Sequence, residues 1–391
     1  MANFADIGLA RKAGVNLPEG GEEQRIRGFD GLRAIAFLLV FVSHKINFDG
    51  ADSFGDVGVW LFFVLSGFLI TRILARSRTE IESGLATVPG NLGRFYLRRT
   101  ARIFPPYYLV LAFFAAVALF IPIEHFTRSE KAAYLLYGTN ILIAVRGVWV
   151  GDFGHFWSLA VEEQFYLIVA PLVLLVPRQR TLSVCVALII LGVTTKIVLE
   201  AVHASAVSID VNSLINFALI GLGGAIGLNA SRWTPRWLSS GAAQLVVLCL
   251  YLALPAAFGA RAEIWPLLGK LSAILVGILL YQIFNGQQSP FVAVLESLPF
   301  RYVGRISYGA YLVHHFVHFN WIEDMLRNFS IGIWAPRPAQ VLIELAISLA
   351  LAATSWRYFE RPIIAWARRA TSRRSGPLAA AAPSQRAAGP P

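Results

Sequence analysis

Arg33 and His44 stand eleven positions apart in a mostly apolar run, Phe29 to Phe48, FDGLRAIAFLLVFVSHKINF. On a helix, eleven steps of 100° make three turns plus about 20°, so both side chains leave one face roughly 16 Å apart along the axis. A guanidinium can fix an anion, and an imidazole can take and return a proton near neutral pH. Ionisable groups inside such a run are costly unless they are paired or serve a reaction.

Three further stretches carry chemically useful residues. FWSLAVEEQFYL, Phe156 to Leu167, puts Glu162 and Glu163 inside an apolar helix. Adjacent carboxylates point about 100° apart, so only one of the two can face a given pocket. A histidine held by a carboxylate is an arrangement for general-base work, the acid fixing tautomer and orientation, and either glutamate could serve His44 in this way. RFYLRRTARIFPPYY supplies Arg94, Arg98 and Arg102 at four-residue spacing with Arg99 beside them. Four guanidinium groups there would suit phosphate, although a basic face next to a span is also an ordinary topology signal. RISYGAYLVHHFVHF, Arg305 to Phe319, places Ser307, Tyr311, His314 and His318 on one face at helical spacing. A polar cavity lining explains this face better than metal binding, for which no further ligand has matching spacing.

Two other stretches imitate motifs. GLGGAIG, Gly221 to Gly227, follows no strand and lies in an apolar run, so close helix packing accounts for it better than a nucleotide loop. Ser66, in GVWLFFVLSGFLITR, lacks the strand-to-helix context of a nucleophile and reads as a lining residue beside the packing glycine Gly67.

The elements that position these residues follow from composition. The 391-residue chain is 56% hydrophobic and 15% charged, with a mean hydropathy of +0.60, which points to an all-α polytopic membrane protein. Its net charge of +11 resides mainly in short segments between apolar runs, which argues for membrane topology and against nucleic-acid binding. Ten crossings are expected near 30–48, 56–75, 103–122, 157–176, 181–202, 211–229, 241–259, 264–284, 303–321 and 339–360. Lys131 to Val145 is apolar but short, and would make an eleventh crossing or an interfacial helix. Ten crossings gather most basic loop residues on one side and eleven split them almost evenly, so the positive-inside rule favours ten, with both termini cytoplasmic. Residues 1–27 read as a cytoplasmic arm, 28–362 as one membrane domain and 363–391 as a basic, Ala/Pro-rich disordered cytoplasmic tail.

Together the stretches resemble the acyltransferase family 3 membrane proteins, which O-acylate bacterial glycans. The resemblance rests on Arg33 and His44 in DGLRAIAFLLVFVSH, on GVWLFFVLSGFLIT, on Arg99 and Arg102 in RRTARIFPPYY, on SLAVEEQFYL, on SYGAYLVH and on FERP at Phe359 to Pro362. It implies a bacterial inner-membrane O-acyltransferase taking an acyl group, acetyl by family habit, from acyl-coenzyme A to a hydroxyl of a glycan or glycosylated acceptor. On that reading Arg33, Arg98, Arg99 and Arg102 bind the coenzyme A phosphates, and His44 with Glu162 or Glu163 is catalytic. Ser66, Tyr166, Ser307, Tyr311 and His314 line the cavity. No tightly bound cofactor and no metal are expected; the donor, the acceptor and membrane lipids are the partners. His44 would deprotonate the acceptor or briefly carry the acyl group. The rival reading is a carrier or flippase for a lipid-linked sugar, which a basic mouth and an inner polar face would also suit.

Overall fold

A computed structural model describes residues 25–121, 123–124, 126–231, 235, 237–261, 265–320, 323 and 335–372. The amino-terminal arm up to residue 24 and the tail from 373 lie outside the described residues. Those described form helices joined by short turns, with no strand among them. The α-helices are α1 (Phe29–Lys45), α2 (Ala51–Glu82), α3 (Val88–Val117), α4 (Arg128–Leu135), α5 (Thr139–Arg146), α6 (Phe156–Leu175), α7 (Thr181–Ala201), α8 (Ala206–Asp210), α9 (Ser213–Asn229), α10 (Gly241–Phe258), α11 (Trp265–Asn285), α12 (Pro290–Leu295), α13 (Leu298–Val313), α14 (Arg337–Ser355) and α15 (Arg361–Ser372).

Seven helical stretches among the described residues are long and apolar enough to cross a membrane: Ala51–Glu82, Val88–Val117, Gly151–Leu175, Arg178–Ala201, Ala206–Asn229, Gly241–Phe258 and Arg337–Ser372. The chain is therefore a multi-pass membrane protein. Three of the ten expected crossings are not among them: α1 and α13 have 17 and 16 residues, and of the 21-residue α11 the fully described part is the apolar stretch Leu271–Asn285.

Lys131 to Val145 is not one helix. It is broken at Leu136–Gly138, where Tyr137 takes a left-handed backbone with φ 51°, and the halves α4 and α5 have eight residues each. Eight residues rise about 12 Å, well short of a bilayer core. The third expected crossing also changes shape: α3 starts at Val88 and runs through Pro105 and Pro106 without ending. Residues 363–372, expected in the tail, instead continue the helix as α15, which packs on α3.

Backbone contact between helices sets the frame. A Cβ on Gly67 would come within 1.9 Å of the Ile220 carbonyl, and one on Gly223 within 1.9 Å of the Val64 carbonyl. The GLGGAIG run is thus the face by which α9 seats on α2, as expected for small-residue packing in a membrane. A Cβ on Gly304 would likewise strike Asp30, which clamps α13 beside the start of α1. Because the far end of α1 also meets the turn that follows α13, His44 against His314, the two helices run side by side in the same direction. α6 runs the opposite way, from His155 near that histidine end toward Leu174, whose carbonyl accepts from Arg78.

Candidate active site

One cavity of about 100 Å³ lies between α1, α2, α3, α6 and α13. Arg33, Arg99 and Arg102 line it with Ser66, Glu162, Tyr166, Ser307 and Tyr311, so eight of the residues named from the sequence converge on one space. Arg33 is also bonded to Asp30, one turn earlier on α1, at 2.8 Å. The Arg99 guanidinium lies over the Tyr166 ring, 5.9 Å from its centroid.

The expected set of four arginines is not gathered there. Arg98 donates to Thr371 of α15 at 2.9 Å, and Arg94 reaches Glu80 of α2 at 3.3 Å. Spacing puts Arg98 only about 40° from Arg102, but α15 packs on α3 and draws the Arg98 guanidinium to Thr371 instead of the cavity.

Glu162 accepts hydrogen bonds from Ser66 and from Tyr166, the latter at 2.6 Å, and the two hydroxyl oxygens are 2.9 Å apart. This triangle ties α2 to α6 across the cavity. Glu163, turned away by its place on the helix, is buried with Oε2 unpaired in protein contacts. Neither carboxylate takes the expected place beside His44. Glu162 lies seven residues beyond His155, roughly 10 Å farther along α6.

The partner of His44 is another histidine. His44 Nδ1 lies 2.9 Å from His314 Nε2, with the rings stacked at 5.2 Å. His314 Nδ1 lies 2.7 Å from the Tyr311 carbonyl, which can only accept. In neutral rings this settles the protons: His314 carries its hydrogen on Nδ1 and accepts on Nε2, so His44 donates from Nδ1. The His44 Nε2 lone pair is then the open one, on an exposed side chain next to a fully buried His314. His314 does not belong to α13 as the spacing suggested. The helix ends at Val313, and His314 to Phe316 form a 3₁₀ turn, so His318 leaves the shared face.

Sequence reasoning missed several members of this second polar cluster. His155 is 5.3 Å from His314 and 5.2 Å from His315, ring to ring, and His315 is 4.6 Å from His44. Asp152 faces His315 and His318. Five of the seven histidines in the chain meet here, and the runs GDFGH and HHFVH were the available signal. Lys45, almost fully buried, donates to the Val317 carbonyl at 2.6 Å and pairs with buried Glu344 at 3.6 Å, which fixes the strand of backbone following the turn.

Tyr311 joins the two centres. It lines the cavity, its hydroxyl lies 2.6 Å from the Ser158 hydroxyl and donates to the His155 carbonyl at 3.0 Å, and its own carbonyl holds His314.

The chain is a multi-pass helical membrane protein with a polar, arginine-lined cavity beside an accessible imidazole, and it belongs to the family described as acyltransferase domain, the acyltransferase family 3, which it matches over residues 26–357. It is similar to the peptidoglycan O-acetyltransferase OatA of Listeria monocytogenes, with 27% identity over 364 residues, covering 86% of this chain and 56% of that protein. It is also similar to the putative peptidoglycan O-acetyltransferase YrhL of Bacillus subtilis, 28% identical over 381 residues, 89% of this chain and 56% of that one. The O-acetyltransferase OatA of Staphylococcus aureus is 25% identical over 366 residues, 86% and 57% respectively. The chain thus spans little more than half the length of these relatives. No solved structure matches it.

Proposed function

We propose that this protein transfers an acyl group, acetyl in the first instance, from an acyl-coenzyme A thioester to a hydroxyl of a cell-envelope glycan, with His44 as the catalytic base. The observation that carries the reading is the hydrogen bond from His44 Nδ1 to His314, which leaves Nε2 of an exposed imidazole as the proton acceptor. The acceptor oxygen forms a bond to the thioester carbonyl carbon as its proton passes to His44 Nε2. The carbon–sulfur bond then breaks and the proton leaves His44 for the thiolate, so the enzyme returns unchanged. The peptidoglycan activity in the relatives' names supports a glycan acceptor.

Arg33, Arg99 and Arg102 suit the anionic part of the donor because three guanidinium groups share one cavity. The distance from Arg33 to His44 along α1, roughly 16 Å, suits an extended acyl-pantetheine arm. In this reading α1, α11 and α13 cross together with the seven longer stretches, giving ten crossings with both termini cytoplasmic in a bacterial inner membrane. The arginine end then faces the cytoplasm and the histidine end the outer side, and residues 28–362 act as the transfer domain.

Membranes containing the protein, incubated with acetyl-coenzyme A labelled in the acetyl group, test the donor. Thioester consumption that depends on His44 supports the proposal. Consumption equal in wild type and His44→Ala contradicts the role of His44, and glycan movement without acylation would support a carrier.

A further inference from the structure

Asp152 stands in the turn before α6, 40% exposed, with Oδ1 3.3 Å from His315 Nδ1 and 3.8 Å from His318 Nε2. His315 packs edge-to-face on His44 and stacks on His155. His44 therefore has two imidazole neighbours with different functions. His314 accepts the hydrogen bond from its Nδ1–H, and His315 packs against it by ring contact, with a carboxylate 3.3 Å from its own Nδ1.

The surrounding charges show what that carboxylate does. Lys45, next to His44, is paired with Glu344 of α14, and Arg337 of α14 also lies 3.7 Å from Glu344. His318 Nδ1 is 3.5 Å from the Lys45 ammonium. Asp49 and Asp52 are exposed at the turn from α1 to α2, and Asp56 of α2 accepts from the Trp265 indole at 3.0 Å. Two cations thus stand against one carboxylate on the Lys45 side, before His44 acquires any charge. A proton arriving on His44 adds another positive charge, which only a further carboxylate would offset. Asp152 is placed to do so.

We propose that Asp152, acting through His315, is a positioning residue that stabilises positive charge on His44 while His44 holds the acceptor's proton. The inference rests on reading His44 as the base. It also assigns a function to the GDFGH run that the cavity leaves unexplained. Removing the carboxylate makes the imidazolium less favourable without disturbing the His314 hydrogen bond, which lies on the other ring neighbour.

The test uses diethyl pyrocarbonate, which modifies neutral imidazole, on the full chain in detergent from about pH 3 to 8, so that the whole titration of His44 is covered. Modification of His44 is read by peptide mass spectrometry, with exposed His203 as an internal control. In Asp152→Asn the midpoint for His44 moves to lower pH by about half a unit or more, His203 stays in place, and Asp152→Glu restores most of the shift. A His44 curve that superimposes on wild type, or moves to higher pH, overturns the proposal. Because no donor is present, this outcome is separable from the acyl-transfer reading: failure to consume acetyl-coenzyme A with the shift intact would sink that reading and leave the coupling standing.

Discussion

His44 Nδ1 and His314 Nε2 are 2.9 Å apart, and the Tyr311 carbonyl on the far side of His314 determines which of them donates. The imidazole of His314 does for His44 what a carboxylate does in many catalytic pairs, but without adding a negative charge. It fixes one tautomer and one ring orientation.

Substituting His314 should therefore affect turnover more than binding. His314→Leu removes the acceptor and is expected to lower kcat by about 10- to 100-fold with KM for either substrate within about twofold. His314→Gln, whose amide oxygen can still accept, should recover part of the loss. Steady-state kinetics on both variants check this, and equal loss in the two would show that His314 acts by filling space alone.

The arginines should separate into two groups. Arg33→Ala, Arg99→Ala and Arg102→Ala each lose a cavity-lining cation and are expected to raise donor KM about tenfold, or about 1.4 kcal/mol. Arg98→Ala, whose partner is Thr371, should stay within about twofold. A donor titration of the four variants decides it; a uniform effect would point to a diffuse surface field instead.

Much of the cavity was legible because periodicity on straight helices preserves faces. Arg33, Ser66, Arg99, Arg102, Glu162, Tyr166, Ser307 and Tyr311 all emerge from continuous helical stretches, where spacing picked out Arg33, Ser307 and Tyr311 and the family resemblance added Ser66, Arg99 and Tyr166. The partner of His44 was not legible for the opposite reason. α13 gives way to a 3₁₀ turn at His314, and Asp152 and His155 precede α6, so their positions depend on helix ends. Pairing across helices also depends on relative depth, which spacing within one helix does not encode. A glutamate two turns along α6 looked level with His44, and the residue that is level is His155.

Glu344 and Lys45 make a buried pair whose loss should be seen in stability. Glu344→Leu strands the Lys45 ammonium with only the Val317 carbonyl and its histidine neighbour, and should cost about 3 kcal/mol in detergent unfolding. Adding Lys45→Met should return a good part of it. A double variant less stable than wild type shows that the pair contributes more than its desolvation costs, and one less stable than Glu344→Leu alone contradicts the stranded charge.

The seating of α9 on α2 gives a sharper test of the fold. Gly223→Ala puts a methyl where the Val64 carbonyl already stands and should abolish the folded, detergent-stable protein. Gly93→Ala, in α3 with open space around its Cβ, should be neutral or stabilising by up to about 1 kcal/mol. Thermal stability of the two in one detergent makes the comparison.

The account turns on His44 as the residue at which acyl transfer to a glycan takes place. Mass spectrometry of cell-envelope glycans from cells expressing wild type or His44→Ala at equal membrane levels tests it directly. The expected result is an acetyl-ester mass increment on glycan from wild-type cells and a loss of at least about a hundredfold with His44→Ala. The same increment at the same abundance from both would contradict it.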